Sequence, residues 1–327
     1  MKWHPIVFEP IFKERIWGDR RIETVYGKPL PPGLPIGESW EIADRPEGES
    51  RVRNGPLAGN TLRWLMEKHQ AELLGEAAPC NGRFPLLVKI LDAQDVLSLQ
   101  VHPPPEAAAR LGGEPKTEMW YIADAEPGAH LLVGLKRGVT REVFERKLRD
   151  GTAAECVHRV AVRPRDAMFL PSGRVHAIGA GLLIYEIQQN SDTTYRVFDW
   201  NRVGADGKPR PLHIREALES IRFDDVEPSL VDAPERREGN VIRRELVKDA
   251  LFEASEERAA APVLRPLGDG RRPWIAACLK GEAQIGEAGG DGVSLKPGEF
   301  ALIPAVLRTE LRAPAGAAWL LAAPGLP

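Results

Sequence analysis

The feature that most constrains this chain is how evenly glycine and proline are spread along it. The 327 residues include 31 glycines and 29 prolines, and no single linker collects them. Both residue types mark turns, and short apolar runs between closely spaced turns are typical of β-strands. The sequence therefore predicts a mainly β fold built from many short strands.

Helical apolar spacing occurs in only three stretches. Each begins at a capping side chain or shortly after a proline, and two end at a glycine, as helices commonly do. The three stretches are Asn60 or Thr61 to Gly75, Thr140 to Gly151, and His213 to Ile221. We therefore expect a few short helices beside the strands.

Charge and cysteine content exclude several classes of protein. The chain has 44 Lys and Arg against 47 Asp and Glu, so no overall basic field favours nucleic acid as a partner. The three cysteines are scattered and form no C-x-x-C pair, which argues against a disulfide framework. No apolar run approaches the roughly 18 residues of a membrane span, and the first residues do not resemble a signal peptide. We expect a soluble, cytoplasmic protein with no membrane partner.

A weak internal repeat divides the chain. Residues 163–172 align without gaps to residues 296–305, and both segments read as a basic residue, Pro, a turn, an acid, a short apolar run and Pro. Either two chance segments share this pattern, or the chain contains two related β-barrel halves. The second interpretation predicts a catalytic domain over 1–223, a charged, proline-containing linker over 224–239, and a second domain over 240–327.

Polar residues alternate with apolar ones just after a buried run. In an extended strand, Ser98, Gln100 and His102 lie on one face and the apolar residues between them on the other. That polar face could meet solvent, or it could line a lumen that holds a polar ligand. The stretch from Lys116 repeats the pattern, with Glu118 two residues further on.

Four side chains are candidate metal ligands: Gln100, His102, Glu118 and His176. Imidazole and carboxylate together suit zinc, and also iron, manganese or cobalt. The spacing matches no compact metal-binding motif. From the residues alone, both histidines could be structural, Gln100 could bind backbone, and Glu118 could pair with Lys116.

The motif order gives a more specific indication. S-x-Q-x-H-P, K-x-E, P-x-G-x-x-H and S-D-x-x-x-R follow one another, and with them the chain resembles type I mannose-6-phosphate isomerase in its short bacterial form, a member of the cupin superfamily. The matching segments are Arg15–Gly18, Gly37–Glu41, Phe84–Lys89, Leu97–Pro103, Lys116–Trp120, Pro171–His176 and Glu186–Arg196.

This resemblance implies a fold and a reaction. The fold is two cupin-like (jelly-roll) β-barrels with a few short helices. The reaction is the interconversion of mannose 6-phosphate and fructose 6-phosphate through a metal-stabilised enediolate, with one Zn²⁺ per chain. The implied partner is a small sugar phosphate, and the implied state is a monomer or weak homodimer. Alternatives are an isomerase for another sugar phosphate and a cupin that binds a sugar phosphate without turnover.

The resemblance also implies roles for individual residues. The metal ligands correspond to Gln100, His102, Glu118 and His176. The catalytic arginine corresponds to Arg196, with Glu186 as the first candidate for proton transfer and Lys116 as the second. Ser98 would line the substrate pocket, and Lys89 and Arg202 are candidates for the substrate phosphate. Two structural alternatives remain: Glu186 could form a salt bridge with Arg196, and Lys89 could pair with Asp92 or Asp95.

This chain departs from the family at three places. Pro104 and Pro105 replace two acids that relatives usually have, and an Ala- and Gly-rich loop is expected over 106–115 at the pocket rim. Arg202 is expected to replace a phosphate-binding lysine of the larger eukaryotic branch. In the second barrel Thr309 occupies the position of His176, so that barrel is predicted to be metal-free.

Overall fold

A computed structural model describes residues 2–203, 207–287, 290 and 292–327 of the chain. The fold is mainly β with a few short helices, as the sequence predicts. Within the described residues, no helix is long and apolar enough to cross a membrane.

All three predicted helices are present. Thr61 Oγ1 accepts a hydrogen bond from the backbone N–H of Trp64 at the start of one, and Thr140 Oγ1 accepts from Val143 at the start of another. The structure adds two short helices that the sequence analysis did not predict. In chain order the helices are α1 Arg21–Tyr26, α2 Leu62–Leu74, α3 Pro105–Leu111, α4 Arg141–Arg149 and α5 Ile214–Ser220, with 3-10 turns at Gly55–Leu57 and Ala153–Cys156.

The strands are short and separated by turns, as the distribution of glycine and proline predicts. The first thirteen are β1 Ile11–Asp19, β2 Ile36–Ile42, β3 Asp44–Arg45, β4 Gly48–Glu49, β5 Leu86–Ala93, β6 Leu99–Val101, β7 Glu118–Ala125, β8 His130–Leu135, β9 Val157–Ala161, β10 Ala167–Leu170, β11 His176–Ile178, β12 Leu182–Gln189 and β13 Tyr195–Phe198. The remaining ten are β14 Arg236–Glu238, β15 Val241–Lys248, β16 Phe252–Ala259, β17 Val263–Leu267, β18 Trp274–Lys280, β19 Ala283–Gly286, β20 Gly292–Leu295, β21 Phe300–Ile303, β22 Thr309–Ala313 and β23 Ala318–Pro324.

Two pairs of sheets account for most of these strands. The first pair has the orders β1-β2-β5-β12-β7-β10 and β13-β6-β11-β8-β9, and the second has β14-β15-β16-β23-β18-β21 and β17-β22-β19-β20. In each pair, buried side chains from both sheets form one apolar cluster. Trp120 is in the first cluster and Trp319 in the second, and both are almost completely buried.

The internal repeat is visible in the backbone. Asp166 accepts a hydrogen bond from the N–H of Arg163, and Glu299 accepts one from the N–H of Lys296, each at 2.9 Å. The strands that follow, β10 and β21, each form the last strand of a six-stranded sheet. A turn closed by its own acid, followed by an edge strand, is a shared structure that two chance segments would not require.

The chain forms two compact units, and neither is one continuous stretch. The first unit comprises Met1–Ile11, Ser39–Lys89 and Asp232–Pro327, and the second comprises Phe12–Glu38 and Ile90–Val231. The expected division into 1–223 and 240–327 differs because two N-terminal segments group with the C-terminal strands. Residue 225, inside the expected linker, accepts two hydrogen bonds from the guanidinium of Arg174 in the second unit. That division therefore stays a prediction about functional domains.

The expected loop over 106–115 is wrong for its first half. Residues Pro105–Leu111 form α3, with a proline in the first turn, where its missing N–H costs no hydrogen bond. The alanines that suggested a loose rim favour helix. Gly112 ends α3 with φ +71°, the left-handed conformation that glycine adopts most easily.

Candidate metal centre

The five-stranded sheet of the second unit aligns three of the predicted site residues. Gln100 on β6 lies directly opposite His176 on β11 and also opposite Arg196 on β13. Residues paired in this way project from the same face of a sheet. His102 follows Gln100 by two residues, so strand alternation places it on that face as well.

Both histidines are buried and have a defined tautomer. His102 Nδ1 lies 2.9 Å from the carbonyl oxygen of Thr193, and His176 Nδ1 lies 2.9 Å from that of Arg174. Since a carbonyl oxygen can only accept, each Nδ1 carries the proton and donates it. Each Nε2 therefore keeps a lone pair, the state in which imidazole binds a metal.

Glu118 lies between the two histidines and is fully buried. Its Oε1 is 3.5 Å from His176 Nε2, and its Oε2 is 3.5 Å from His102 Nε2. Lys116 Nζ approaches the same Oε2 to 2.9 Å as an ion pair. Within the described residues, neither Glu118 oxygen has a partner with hydrogen-bond geometry.

Burial and charge keep these donors in a metal-binding state. Burial, followed by the neighbouring His102, lowers the pKa of His176 to about 3, and burial followed by Lys116 also lowers the pKa of His102. Burial alone would raise the pKa of Glu118, but Lys116 and then His102 hold it well below its usual range. Burial would lower the pKa of Lys116, but Glu118 and then Glu186 raise it above its ordinary value. Neutral imidazoles and an ionised carboxylate result.

A tight turn fixes His176 against His102. The N–H of Gly173 donates to the carbonyl of His102 at 2.8 Å, and the N–H of Ser172 donates to Thr117 Oγ1 at 3.2 Å. Gly173 has φ +92°, and a Cβ there would lie 2.8 Å from the side chain of Arg222. The turn therefore requires glycine, and it connects both histidines through a few hydrogen bonds.

Two further predicted residues lie near the cluster. Ser98 is buried, and its Oγ donates to Gln100 Oε1 at 3.4 Å. Glu186 is buried, and its Oε2 accepts from Trp120 Nε1 at 2.9 Å. The Trp120 ring in turn meets the His176 ring edge-on, with centroids 5.2 Å apart. Trp120 therefore links the position of Glu186 to that of a candidate ligand.

The predicted arginines differ in how far they are engaged. Arg202 contacts two carboxylates: its Nη2 lies 2.7 Å from Asp199 and its Nη1 3.2 Å from Asp95. Asp199 is also bound by Arg210 at 2.6 Å. Arg196 is half-buried, and its Nε makes no hydrogen bond within the described residues. Burial and then the nearby Arg210 lower the pKa of Arg196, although an arginine stays charged at neutral pH.

Lys89 lies in the other compact unit. It is buried on β5, with Nζ 5.2 Å from the centroid of the Trp40 ring. Asp92 accepts a hydrogen bond from the N–H of Arg21, and Asp95 contacts Arg202. A role for Lys89 in phosphate binding stays a prediction.

The donor set suits a divalent transition metal. One nitrogen or oxygen from each of His102, Glu118 and His176 lies within 4.8 Å of the others, and all three residues are buried. Two imidazole lone pairs and a carboxylate without hydrogen bonds are the ligands that zinc prefers. Gln100 Nε2 lies 3.3 Å from His176 Nε2, and rotation of the amide by 180° would bring its oxygen to that place.

The sequence analysis missed the groups that orient these ligands. The carbonyl oxygens of Thr193 and Arg174 fix both imidazoles, but any residue type can supply a carbonyl, so neither has a sequence signature. It also did not identify the pair of Arg210 with Asp199, because the two are eleven residues apart and are brought together only by the fold.

Comparisons with known proteins agree on one family. The model of the phosphomannose isomerase type I catalytic domain matches residues 6–126. The mannose-6-phosphate isomerase of Bacillus subtilis is 41% identical over 256 residues, which are 77% of this chain and 75% of that protein. The mannose-6-phosphate isomerase of Streptococcus mutans is 38% identical, over 66% of this chain and 67% of that protein.

A solved structure extends this similarity to almost the whole chain. The crystal structure of mannose 6-phosphate isomerase from Bacillus subtilis superposes with a TM-score of 0.89 and 29% identity, covering 98% of this chain and 99% of that one. The four segments of S-x-Q-x-H-P, K-x-E, P-x-G-x-x-H and S-D-x-x-x-R therefore lie in a fold of the same kind.

Proposed function

Because the chain belongs to the type I phosphomannose isomerase family, we propose that it interconverts mannose 6-phosphate and fructose 6-phosphate. The buried cluster of His102, Glu118 and His176 is the observation that carries this proposal. An aldose–ketose isomerase must stabilise negative charge that develops on neighbouring sugar oxygens, and a buried metal site beside an arginine suits that task.

The resident ion in this proposal is one Zn²⁺ per chain. His102, Glu118 and His176 would hold it, with Gln100 as the fourth ligand. When bound, zinc supplies a Lewis acid for the charge on the sugar oxygens. Lys116, an ammonium 2.9 Å from Glu118, adds a second positive charge to the same place.

Glu186 is the proposed base for the proton that moves between C2 and C1 of the sugar. It lies opposite Trp120 on the neighbouring strand, and Trp120 itself is two residues beyond Glu118. The indole N–H of Trp120 holds one carboxylate oxygen in place. Removal of the C2 proton forms an enediolate, and its return to C1 completes the isomerisation.

Arg196 is the proposed anion-binding arginine. Its register position beside Gln100 brings it to the face that carries the metal ligands. Arg202 is already bound to two carboxylates, so fewer of its donors face a substrate. A guanidinium presents paired donors to phosphate or to an enediolate, and Arg196 meets that need better than Arg202.

Turnover of mannose 6-phosphate tests the proposal. We expect the chelator-treated enzyme to lose activity and zinc to restore it, with one bound zinc per chain by elemental analysis. Absence of fructose 6-phosphate formation by zinc-loaded enzyme would contradict the assignment. Turnover of a different hexose phosphate but not of mannose 6-phosphate under the same conditions would instead support an isomerase for another sugar phosphate.

A further inference from the structure

The second sheet pair contains positions that correspond to three of the candidate metal ligands, and the residue differs at all three. His176 pairs with Gln100 in the first sheet pair, and the repeat-related Thr309 pairs with Leu267 in the second. Likewise Glu118 lies opposite Leu170, and Trp274 lies opposite Ile303, which the repeat aligns with Leu170. The positions that correspond to metal ligands are therefore occupied by Leu267, Trp274 and Thr309. None of these residue types is a usual zinc ligand.

A pocket nevertheless remains at this position. Its volume is about 160 Å³, and residues of both sheets of the second sheet pair line it. The polar residues that line it are Arg243, Ser255, Glu257, Arg265, Asp269 and Trp274. Of these residues Ser255 and Glu257 are buried, and a space that buried polar groups line is a candidate ligand site, because such groups are costly to bury without partners.

The acidic residues of the pocket are already neutralised. Glu257 is fully buried, and both of its oxygens accept from Arg265 Nη1, at 2.5 and 2.6 Å. Trp319 Nε1 donates to the same carboxylate at 3.0 Å. Asp269 accepts from two backbone N–H groups, including that of Arg271, so its charge is held at the turn.

Three donors of the pocket lack protein partners. Arg243, which lies opposite Glu257 in the strand register, forms no ion pair or hydrogen bond with any described side chain. The hydroxyl of Ser255 has no hydrogen-bond partner among the described residues, although the residue is only 3% exposed. The buried indole N–H of Trp274 is also without one in that part of the chain. One cation and one hydroxyl therefore line this small volume, and the indole N–H of Trp274 lies just beneath its wall, covered by protein atoms.

We propose that this pocket binds a small hydroxylated anion, either a sugar phosphate or a sugar acid. Arg243 would bind the phosphate or carboxylate group, and the Ser255 hydroxyl would bind a hydroxyl oxygen. The proposal concerns a site in the first unit and does not depend on the reaction proposed for the metal centre.

The indole N–H of Trp274 provides a local reporter. The full-length, zinc-loaded protein labelled with ¹⁵N has eight tryptophans, and a Trp274→Phe variant identifies the resonance of this one. The probes are inorganic phosphate, gluconate and fructose 6-phosphate, added separately. We expect a saturable shift of the Trp274 resonance with a Kd of about 1 mM or tighter for at least one probe. A shift with phosphate but not with gluconate indicates a site for a phosphate group, and the reverse indicates a site for a carboxylate.

Matched variants separate this site from the metal centre. Arg243→Gln should weaken the binding at least tenfold, whereas Lys248→Gln, which removes an exposed charge from the same strand, should leave it unchanged. Arg243→Lys, which keeps the charge without the paired donors, should weaken it less and provides the comparison if Arg243→Gln does not fold. No shift of the Trp274 resonance with any probe, or an equal shift in the Arg243 variants, would overturn the proposal even if the enzyme turns over mannose 6-phosphate.

Discussion

Glu118 is the residue on which the metal centre depends most. It is the only carboxylate in the described His102–Glu118–His176 cluster. Glu118→Gln removes the negative charge while keeping the shape, so we expect less than one zinc per chain. Loss of a residue that only orients a metal ligand already lowers activity by up to about 100-fold, so loss of a ligand should lower turnover by about 100-fold or more. Elemental analysis and turnover of mannose 6-phosphate measure both. Glu106→Gln on the exposed side of α3 is the control, and equal zinc content in the two variants would contradict the assignment.

Glu186 should affect proton transfer without affecting zinc. Glu186→Gln keeps an acceptor for the N–H of Trp120 but removes the base, so we expect kcat to fall by about 10²–10⁴-fold with unchanged zinc content. Exchange of the transferred hydrogen with deuterated water should fall with it. Trp120→Phe leaves the carboxylate, removes its hydrogen bond and reduces the ring that meets His176, and should lower kcat far less because the base remains. Normal isotope exchange in Glu186→Gln would show that another group moves the proton.

Asp92 makes stability depend on pH. Burial raises its pKa from 3.8 to about 6, against the opposing hydrogen bond from the Arg21 N–H. The folded protein therefore holds this proton at pH values where the unfolded chain has released it, and stability should fall as pH rises from about 4 to 6, by about 2–3 kcal/mol. Urea unfolding across this range measures the slope. Asp92→Asn cannot ionise and should flatten it, whereas the same slope in both proteins would contradict the argument.

Residue types predicted the candidate ligands, but their orientation required the fold. Gln100, His102, Glu118 and His176 were identifiable because their side chains carry the chemistry and their motifs occur in a specific order. The carbonyls of Thr193 and Arg174 fix the tautomers through backbone atoms, which leave no pattern in side-chain identity. The engagement of Arg202 by Asp95 and Asp199 was likewise not predictable, because it depends on how the chain folds back after β13.

Among the elements, capping residues predicted two helices correctly, whereas the Ala- and Gly-rich composition after His102 did not predict α3. Thr61 and Thr140 mark their helices because a side-chain oxygen near an N-terminal N–H has one obvious partner. The stretch after His102 was misinterpreted because glycine was weighed as a sign of a loop. In the structure Gly112 ends a helix, and the alanines before it favour one. Prediction of strands from turn spacing succeeded for their number and shortness, but pairing order follows from register, which no local pattern specifies.

A substitution at the end of α3 tests the role of Gly112. A Cβ there has open space around it, so Gly112→Ala should be penalised only by the positive φ of 71°, by about 1 kcal/mol. We expect the melting temperature to fall by about 2 °C. The melting temperature of Gly112→Asn should fall by less, because asparagine adopts this conformation more easily. An unchanged melting temperature for Gly112→Ala would mean that the helix end adjusts its backbone at no cost.

For the whole molecule, the metal centre should contribute to stability as well as to turnover. A ligand that binds only the folded state stabilises it by about 4 kcal/mol at a thousand times its Kd. We therefore expect the melting temperature to fall on chelation and to recover with zinc. The Glu118→Gln variant should not respond to either addition. Identical melting of wild-type protein with chelator and with zinc would show that the cluster holds no structural ion.

Because the two compact units are discontinuous in sequence, the segments of each unit are synthesised at different times. Residues 39–89 belong with 232–327, and the bridge of Ile6 with Leu302 joins the two ends of the chain within the first unit. Ribosomes add about 5–20 residues per second, so residues 39–89 wait roughly 10–50 s while residues 90–327 are translated. During that interval α2 lacks its backbone hydrogen bonds with Ala305 and Val306. Residues 39–89 should therefore be especially vulnerable to proteases and dependent on chaperones until residues 232–327 have been synthesised.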